Sequence, residues 1–419
     1  MDDLTKARKA FTGVCIQQTF PGDIHTVTFQ SKPTRTNEDR YVVEHWDDIG
    51  EPASPSWIFL AVLDGHGGPQ TSEYTASHLP SLIHAALRSL VGAAKPETPD
   101  PKSISDLLSS QIKLFDHEIG KVVKRVCRNI RNLDDSQVQG IVEGPHRDAL
   151  LRANSGTTLT MALIDGERTN LWVAGVGDSS VVLSKALPGG HRTGERLLTL
   201  HNVSTPSEYA RVALAHPSYE ANILKNDRVL GGVTVTRAIG DFAFKLPRIY
   251  SRRVFTKLPS TWSDRVHEGV TQYNFTPPYI TAASEARHIN LKGIRDQHPI
   301  LLLYSDGVNG AIDGYFLFRQ QNPCKADPAN VVGALLGDML DPVFMRAVFQ
   351  HGVESKWIGE NGNRAVELLG NILGGTDASR LTQVLDPALL SDDGERDLYV
   401  DDTTIVICPL VCPVPMVPS

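Results

Sequence analysis

The apolar run FLAVL breaks off at Asp64, Gly65 and His66, inside the turn-rich stretch DGHGG. Other apolar stretches carry acids at their ends. Glu38 and Asp39 precede RYVVEHW, Asp178 lies within VAGVGDSS, Asp306 follows ILLLYS, and Asp401 precedes DTTIVI. A carboxylate at the lip of an apolar strand is partly desolvated, which is costly unless a cation or partner neutralises it. Five such sites converging would hold hard divalent cations, because carboxylate oxygen suits Mg²⁺ or Mn²⁺. Any one of these acids is equally a strand-ending turn residue; the recurrence of the pattern points to metal. Gly65 lacks a Cβ, so its backbone can approach closely and offer a carbonyl oxygen beside Asp64. His66 would stand next to the cations, where an imidazole can protonate a leaving alkoxide. Taken alone, the same segment is also a turn bearing a surface histidine.

The elements that must position these residues alternate in blocks. Segments 24–30, 40–46, 57–63, 157–164, 170–183, 196–200, 279–283, 300–305 and 403–408 are rich in β-branched, aliphatic and aromatic residues and are bounded by turn formers, which predicts strands. Segments 70–90 and 104–133 place leucines and isoleucines on one face at helical spacing, and 327–349 and 363–373 are further helical candidates. The helices fall in pairs between blocks of strands, which is unlike a doubly wound parallel sheet. The pattern predicts an α+β fold in which two stacked, mainly antiparallel sheets are flanked by helices. Segment 93–102 reads as a Pro-rich loop. Segment 242–278 has weak periodicity and scattered basic residues, and is expected to be an insertion or flap on a single domain spanning 1–419.

The bulk properties narrow the function. In 419 residues, 41 basic side chains face 48 acidic ones, a formal net charge of −7, which argues against a nucleic-acid-binding surface. No apolar run approaches the roughly 18 residues of a membrane span. Cys15, Cys127, Cys324, Cys408 and Cys412 form no C-x-x-C pair and no disulfide framework, and read mostly as buried, reduced thiols. The start, MDDLTKARKAF, lacks the apolar region of a secretory signal. These features predict a cytoplasmic or nuclear monomer without membrane or nucleic-acid partners.

Several alternatives share fragments of the pattern. The D-x-H of Asp64 to His66 also opens the calcineurin-type metallophosphatase motif, but GDSSVV and GDFAFK do not continue it and no GNHE-like stretch exists. Gly175-Val-Gly177 lacks the third glycine of a dinucleotide loop, and strand-like residues follow it instead of a helix. There is no G-x-S-x-G for a serine hydrolase.

In chain order, TRTNEDR (34–40), VLDGHGG (62–68), SGTTLTMALI (155–164), VAGVGDSSVVL (173–183), RVLGGVTVTRAIGDFAFK (228–245), LLYSDGVNG (302–310) and YVDDTTIVIC (399–408) resemble the metal-dependent protein phosphatases of the PP2C (PPM) family. RVLGGVTVTRAIGD and the C-terminal GGTDASRLTQVL with YVDDTTI look most similar to the pyruvate dehydrogenase phosphatase branch. The resemblance implies an α-β-β-α sandwich with two Mg²⁺ or Mn²⁺ ions at one edge of the sheets, acting on a phosphoprotein. It implies that Asp64 bridges the two ions, that Asp306 and Asp401 hold the first, and that Glu38 and the Gly65 carbonyl serve the second. Asp39 would support metal-bound waters, Asp178 with Asp306 would hold a third, weaker ion, and His66 would be the general acid. Thr157, Thr158, Gly240 and Asp241 match positions expected to be structural. The branch resemblance adds a mitochondrial matrix setting as the alternative compartment, had a targeting peptide been removed.

The chain departs from the family at three places. The arginine expected four residues before the Glu of E-D is Thr34, and Arg35 stands one residue later. In an extended segment that offset turns the side chain to the other face, so Arg35 is either a phosphate clamp in a loop or a surface arginine. Ser180 replaces the arginine of GDSR, and Asn309-Gly310 replaces the aromatic and acid after SDG. A docking module with the same fold but no activity, and a hydrolase of small phosphoesters, are the competing readings.

Overall fold

The computed structural model describes residues 2–32, 34–50, 54–94, 99–259, 261–313, 324–359, 362–390 and 398–411. Two large antiparallel sheets face each other. One orders its strands Ile16–Phe20, Ile24–Phe29, Thr403–Pro409, Ile300–Tyr304, Ser180–Ala186 and Arg192–Arg196; the other orders Glu285–Asn290, Asn170–Val176, Leu159–Ile164, Trp57–Leu63 and Arg40–Trp46.

The period of two along each strand builds the layers. In Trp57–Leu63, Ile58, Leu60 and Val62 join the cluster between the sheets, while Phe59, Ala61 and Leu63 join the cluster beneath the outer helices. In Ile300–Tyr304, Leu301 and Leu303 turn inward, and Leu302 and Tyr304 turn toward the helices on the opposite side. Helices Gln70–Ala94 and Pro101–Val126 cover the five-stranded sheet with Leu79, Ile83, Leu87, Leu108 and Ile112. Helices Asp3–Val14, Pro328–Leu335 and Arg364–Leu373 cover the six-stranded sheet with Phe11, Val332 and Leu369. The result is the expected α-β-β-α sandwich.

Local differences have local causes. Expected strand 170–183 is two strands in different sheets, Asn170–Val176 in the five-stranded one and Ser180–Ala186 in the six-stranded one, with Gly177 at φ +93° and Asp178 in the crossing between them. Expected strand 196–200 instead ends at Arg196, paired across from Val182. Segment 279–283 contributes only an isolated bridge, Arg237 to Thr281. Helix 327–349 is split by Pro342 into Pro328–Leu335 and Pro342–Phe349, each opened by a capping aspartate. Strands Ile16–Phe20 and Glu285–Asn290 carried no sequence signal, since both lie at sheet edges with no fully buried residue. Segment 242–278 contains helices Phe242–Lys245, Arg248–Arg253 and Asp264–Gln272, and Phe244, Val254, Phe255 and Val266 are buried in the core beneath the five-stranded sheet. Cys15, Cys127, Cys324 and Cys408 are free, and Cys127 and Cys408 are buried; Cys412 lies outside the described residues.

Candidate active site

Register brings the strand-terminal acids together. Leu63 pairs with Arg40, so Asp64 leaves its strand where Glu38 and Asp39 enter theirs. Tyr304 pairs with both Ile405 and Ser180, so Asp306, Asp401 and Asp178 share the matching end of the other sheet. Arg35, Glu38, Asp64, Gly65, His66, Asp178, Asp306 and Asp401 accordingly line one cleft of about 330 Å³.

Hydrogen bonds from neighbouring strands hold these groups. The Asp64 carbonyl accepts from Thr158 N–H (2.9 Å) and Thr157 Oγ1 (3.1 Å), and Thr158 Oγ1 contacts Ser179 Oγ at 2.7 Å. Asp306 N–H donates to Asp64 Oδ2 (3.3 Å). Buried Asp39 accepts from Ser305 Oγ (2.7 Å). Glu38 N–H donates to Asp402 Oδ2 (2.9 Å), and Thr261 Oγ1 donates to Glu38 Oε1 (3.1 Å). Asn202 Nδ2 donates to Asp178 Oδ2 (3.1 Å). Gly65 is required sterically: a Cβ there would lie 2.4 Å from the Glu38 carbonyl oxygen.

The electrostatics are those of crowded anions. Burial, and then the charge of Asp306, push the Asp64 carboxyl well above the usual range; burial, and then Asp178 and Asp401, do the same to Asp306. Asp39 is pushed up to about 8, by burial foremost, with Asp402 and Asp401 adding. Asp178, Asp401 and Glu38 are raised as well, burial leading in each. Burial works against the Arg35 guanidinium, yet Tyr399, Asp402 and Asp401 keep it protonated. Arg35, Arg228 and Arg265 line the cleft against Glu38, Asp64, Asp178, Asp306 and Asp401, with Asp39 buried behind them, so the acids still outnumber the arginines. Oxygen-rich, anion-surplus donors of this kind fit hard dications, although no three His, Cys, Asp or Glu side chains among the described residues form a ready metal-binding group.

His66 faces the same cleft. Its Nε2 lies 2.8 Å from Asp241 Oδ2, and Asp241 is fully buried. Burial pulls the imidazole downward, but the Asp241 carboxylate beside it carries it above its ordinary value. Asp241 adopts φ +54°, and its N–H donates to Ser155 O (2.9 Å). Gly156 makes room for the pair, since a Cβ there would lie 2.2 Å from His66 Nε2. The Trp262 ring packs 5.4 Å from the imidazole, and its Nε1 donates to Asn154 O (3.0 Å).

Sequence reasoning gave Asp241 only a structural part, and Thr261, Trp262 and Asp402 none. Asp402 was legible in principle as the second acid of YVDD. The substitution of Ser180 is answered from the next strand, where the Arg196 guanidinium donates to Ser180 Oγ and pairs with Asp327 (3.2 Å).

The fold is a sandwich of two antiparallel sheets, with an acid-lined cleft at one shared edge and an imidazole–carboxylate pair on its wall. The family model for protein phosphatase 2C matches residues 31–309, and the chain belongs to that family. Asp401 lies beyond the matched residues and is joined to the site by register alone. A protein phosphatase 2C homolog of Schizosaccharomyces pombe is 28% identical over 255 residues, covering 60% of this chain and 53% of its own. The mitochondrial pyruvate dehydrogenase phosphatase 1 of Rattus norvegicus is 29% identical over 275 residues, covering 61% and 47%. The chain thus spans about half the length of these curated relatives. A serine-threonine phosphatase 2C from Toxoplasma gondii has the same fold, with a TM-score of 0.50 and 13% identity over 94% of this chain and 98% of its own.

Proposed function

We propose that this protein hydrolyses phosphoserine and phosphothreonine esters in proteins, using Mg²⁺ or Mn²⁺. The observation that supports this most is the set of mutually repelling carboxylates gathered from both sheets around one cleft, with His66 on its wall. Asp64, Asp306, Asp401, Glu38 and the Gly65 carbonyl are the residues that would hold two dications, Asp178 with Asp306 a third, and Asp39 the waters around them. When bound, such ions make a hydroxide available near neutral pH and neutralise phosphoryl oxygens.

The chain's own groups do the rest. His66, protonated and held by Asp241, gives its proton to the leaving serine or threonine oxygen. The Asp241 carboxylate fixes the ring and stabilises its charged form. Arg35 is read as a phosphate clamp at the Asp401 side of the cleft. Thr261 and Trp262, from segment 242–278, wall the cleft and would direct substrates, within a single domain spanning the chain. The protein would act as a monomer on a phosphoprotein. A mitochondrial setting, supported by the named mitochondrial relatives, stands beside a cytoplasmic or nuclear one; no helix among the described residues is long and apolar enough to cross a membrane.

The test is hydrolysis of a phosphothreonine peptide with Mg²⁺ or Mn²⁺. Activity should vanish with chelator and nearly vanish in Asp64→Asn and Asp306→Asn. Turnover without metal, or no turnover of any phosphosubstrate, would overturn the proposal and favour a docking role. Arg35→Ala should raise KM; an unchanged KM makes Arg35 a surface residue.

A further inference from the structure

Strand Ile300–Tyr304 leads into the carboxylate cleft at one end. At its other end Ile300 lines a second cavity of about 330 Å³, and the two cavities share no lining residue. The strand separates them by roughly 14 Å at the usual rise per residue. Arg192, from the edge strand, and Arg364, at the start of helix Arg364–Leu373, both line this second cavity. Both guanidiniums are anchored by backbone carbonyls. Arg192 Nε donates to Ser184 Oγ (2.9 Å), and its Nη2 donates to Ser184 O (3.0 Å) and His298 O (2.6 Å). Arg364 Nη2 donates to Leu336 O (3.1 Å). Neither has a carboxylate within ion-pair distance among the described residues.

These two like charges sense each other: burial, followed by the Arg364 charge, pushes the Arg192 guanidinium down to about 10. Lys356 and His191 also face the cavity, against the carboxylates of Asp338 and Glu367. Glu367 accepts from Ile358 N–H (3.2 Å); burial pushes its carboxyl upward, while that bond and the Arg364 and Lys356 charges pull it down. Asp338 and Glu367 offset part of this charge, but two half-buried guanidiniums in one cavity with no ion pair leave a positive excess that a shared anion would relieve. Anchored, planar forks with spare N–H groups match the oxygens of a phosphoryl group. The cavity volume sits at the low end of small-molecule sites.

We propose that this cavity is an anion site, remote from the catalytic cleft, that takes the phosphoryl group of a small phosphate monoester or free phosphate between Arg192 and Arg364. The experiment uses the full chain with Mg²⁺ present and Asp306→Asn introduced to silence turnover. It is titrated calorimetrically with inorganic phosphate and, separately, with glycerol phosphate. Binding should persist, and Arg192→Gln or Arg364→Gln should each weaken it about tenfold or more, while Arg192→Lys should lose less. Tighter binding of glycerol phosphate assigns the site to a monoester, and equal binding assigns it to free phosphate. No binding in the Asp306→Asn chain, or binding indifferent to both glutamine substitutions, overturns the proposal. In the unsubstituted chain, phosphate should protect Arg192 and Arg364 from phenylglyoxal, mapped by mass spectrometry; unprotected arginines overturn it independently of any variant's folding.

Discussion

Asp241→Asn isolates the charge behind His66. Asparagine keeps the size of the side chain and tolerates the left-handed backbone at φ +54°, so the fold should survive. What is lost is a fully buried carboxylate 2.8 Å from the imidazole. Two unit charges about 4 Å apart interact by about 4 kcal/mol at an effective dielectric near 20. The partial exposure of His66 and the desolvation of Asp241 offset part of this, leaving about 2 kcal/mol, or roughly thirtyfold in the population or potency of the protonated imidazole. The cost should fall on reactions that need a proton at the leaving oxygen. A serine or threonine alkoxide needs one, and a nitrophenolate scarcely does. The assay compares kcat on a phosphothreonine peptide and on p-nitrophenyl phosphate, both at saturating Mn²⁺. The peptide rate should fall by about ten- to a hundredfold, and the aryl rate by only a few-fold. Equal losses on both substrates, or none on the peptide, would refute the proton-donor role and leave Asp241 a structural residue.

Asp306→Asn should stabilise the chelator-treated protein by about 1 to 2 kcal/mol, because it removes one of several crowded charges, while abolishing activity and the rise in Tm that Mg²⁺ gives the parent; calorimetric melting checks both signs. Gly65→Ala should inactivate the protein and lower its stability by about 1 to 3 kcal/mol, since the new Cβ would meet the Glu38 carbonyl oxygen at 2.4 Å; a normal Tm with normal activity would contradict that packing. Glu208, 3% exposed, binds Arg237 (2.5 Å), Arg211 (2.8 Å) and Thr236 Oγ1 (2.6 Å). Burial pushes its carboxyl up, but these partners hold it far below the usual range. A depressed folded value means the stabilisation is full above the unfolded carboxyl's value near 4.3 and is lost as pH falls below it. Glu208→Gln should therefore cost about 3 kcal/mol at pH 7 and progressively less in urea melts below pH 4; a cost that does not shrink with acid would refute the linkage.

Asp64, Asp306 and Asp401 were visible because each closes or opens an apolar strand, and apolar runs are local signals. The crossing between sheets that presents Asp178 was hidden inside what read as one long strand, since a single Gly177 at positive φ does not interrupt the run of β-forming residues around it. Asp241 gave no local sign of its task. Its partner His66 is 175 residues away, and GDF reads as an ordinary turn. Trp262 and Thr261 sit in a segment without periodicity, whose buried residues are set by the neighbours they pack against.

The places of most strands and of the long helices along the chain, and the acids at the strand ends, follow from alternation and turn chemistry, which depend only on neighbours in the chain. The tertiary structure decided which distant groups meet: the register that stacks Glu38, Asp64, Asp306 and Asp401 at one edge, the carboxylate behind His66, the arginine that answers Ser180, and the two arginines that line the far cavity. Those pairings depend on separations between strands and helices packed from remote parts of the chain, and no short-range pattern encodes a distance of that kind.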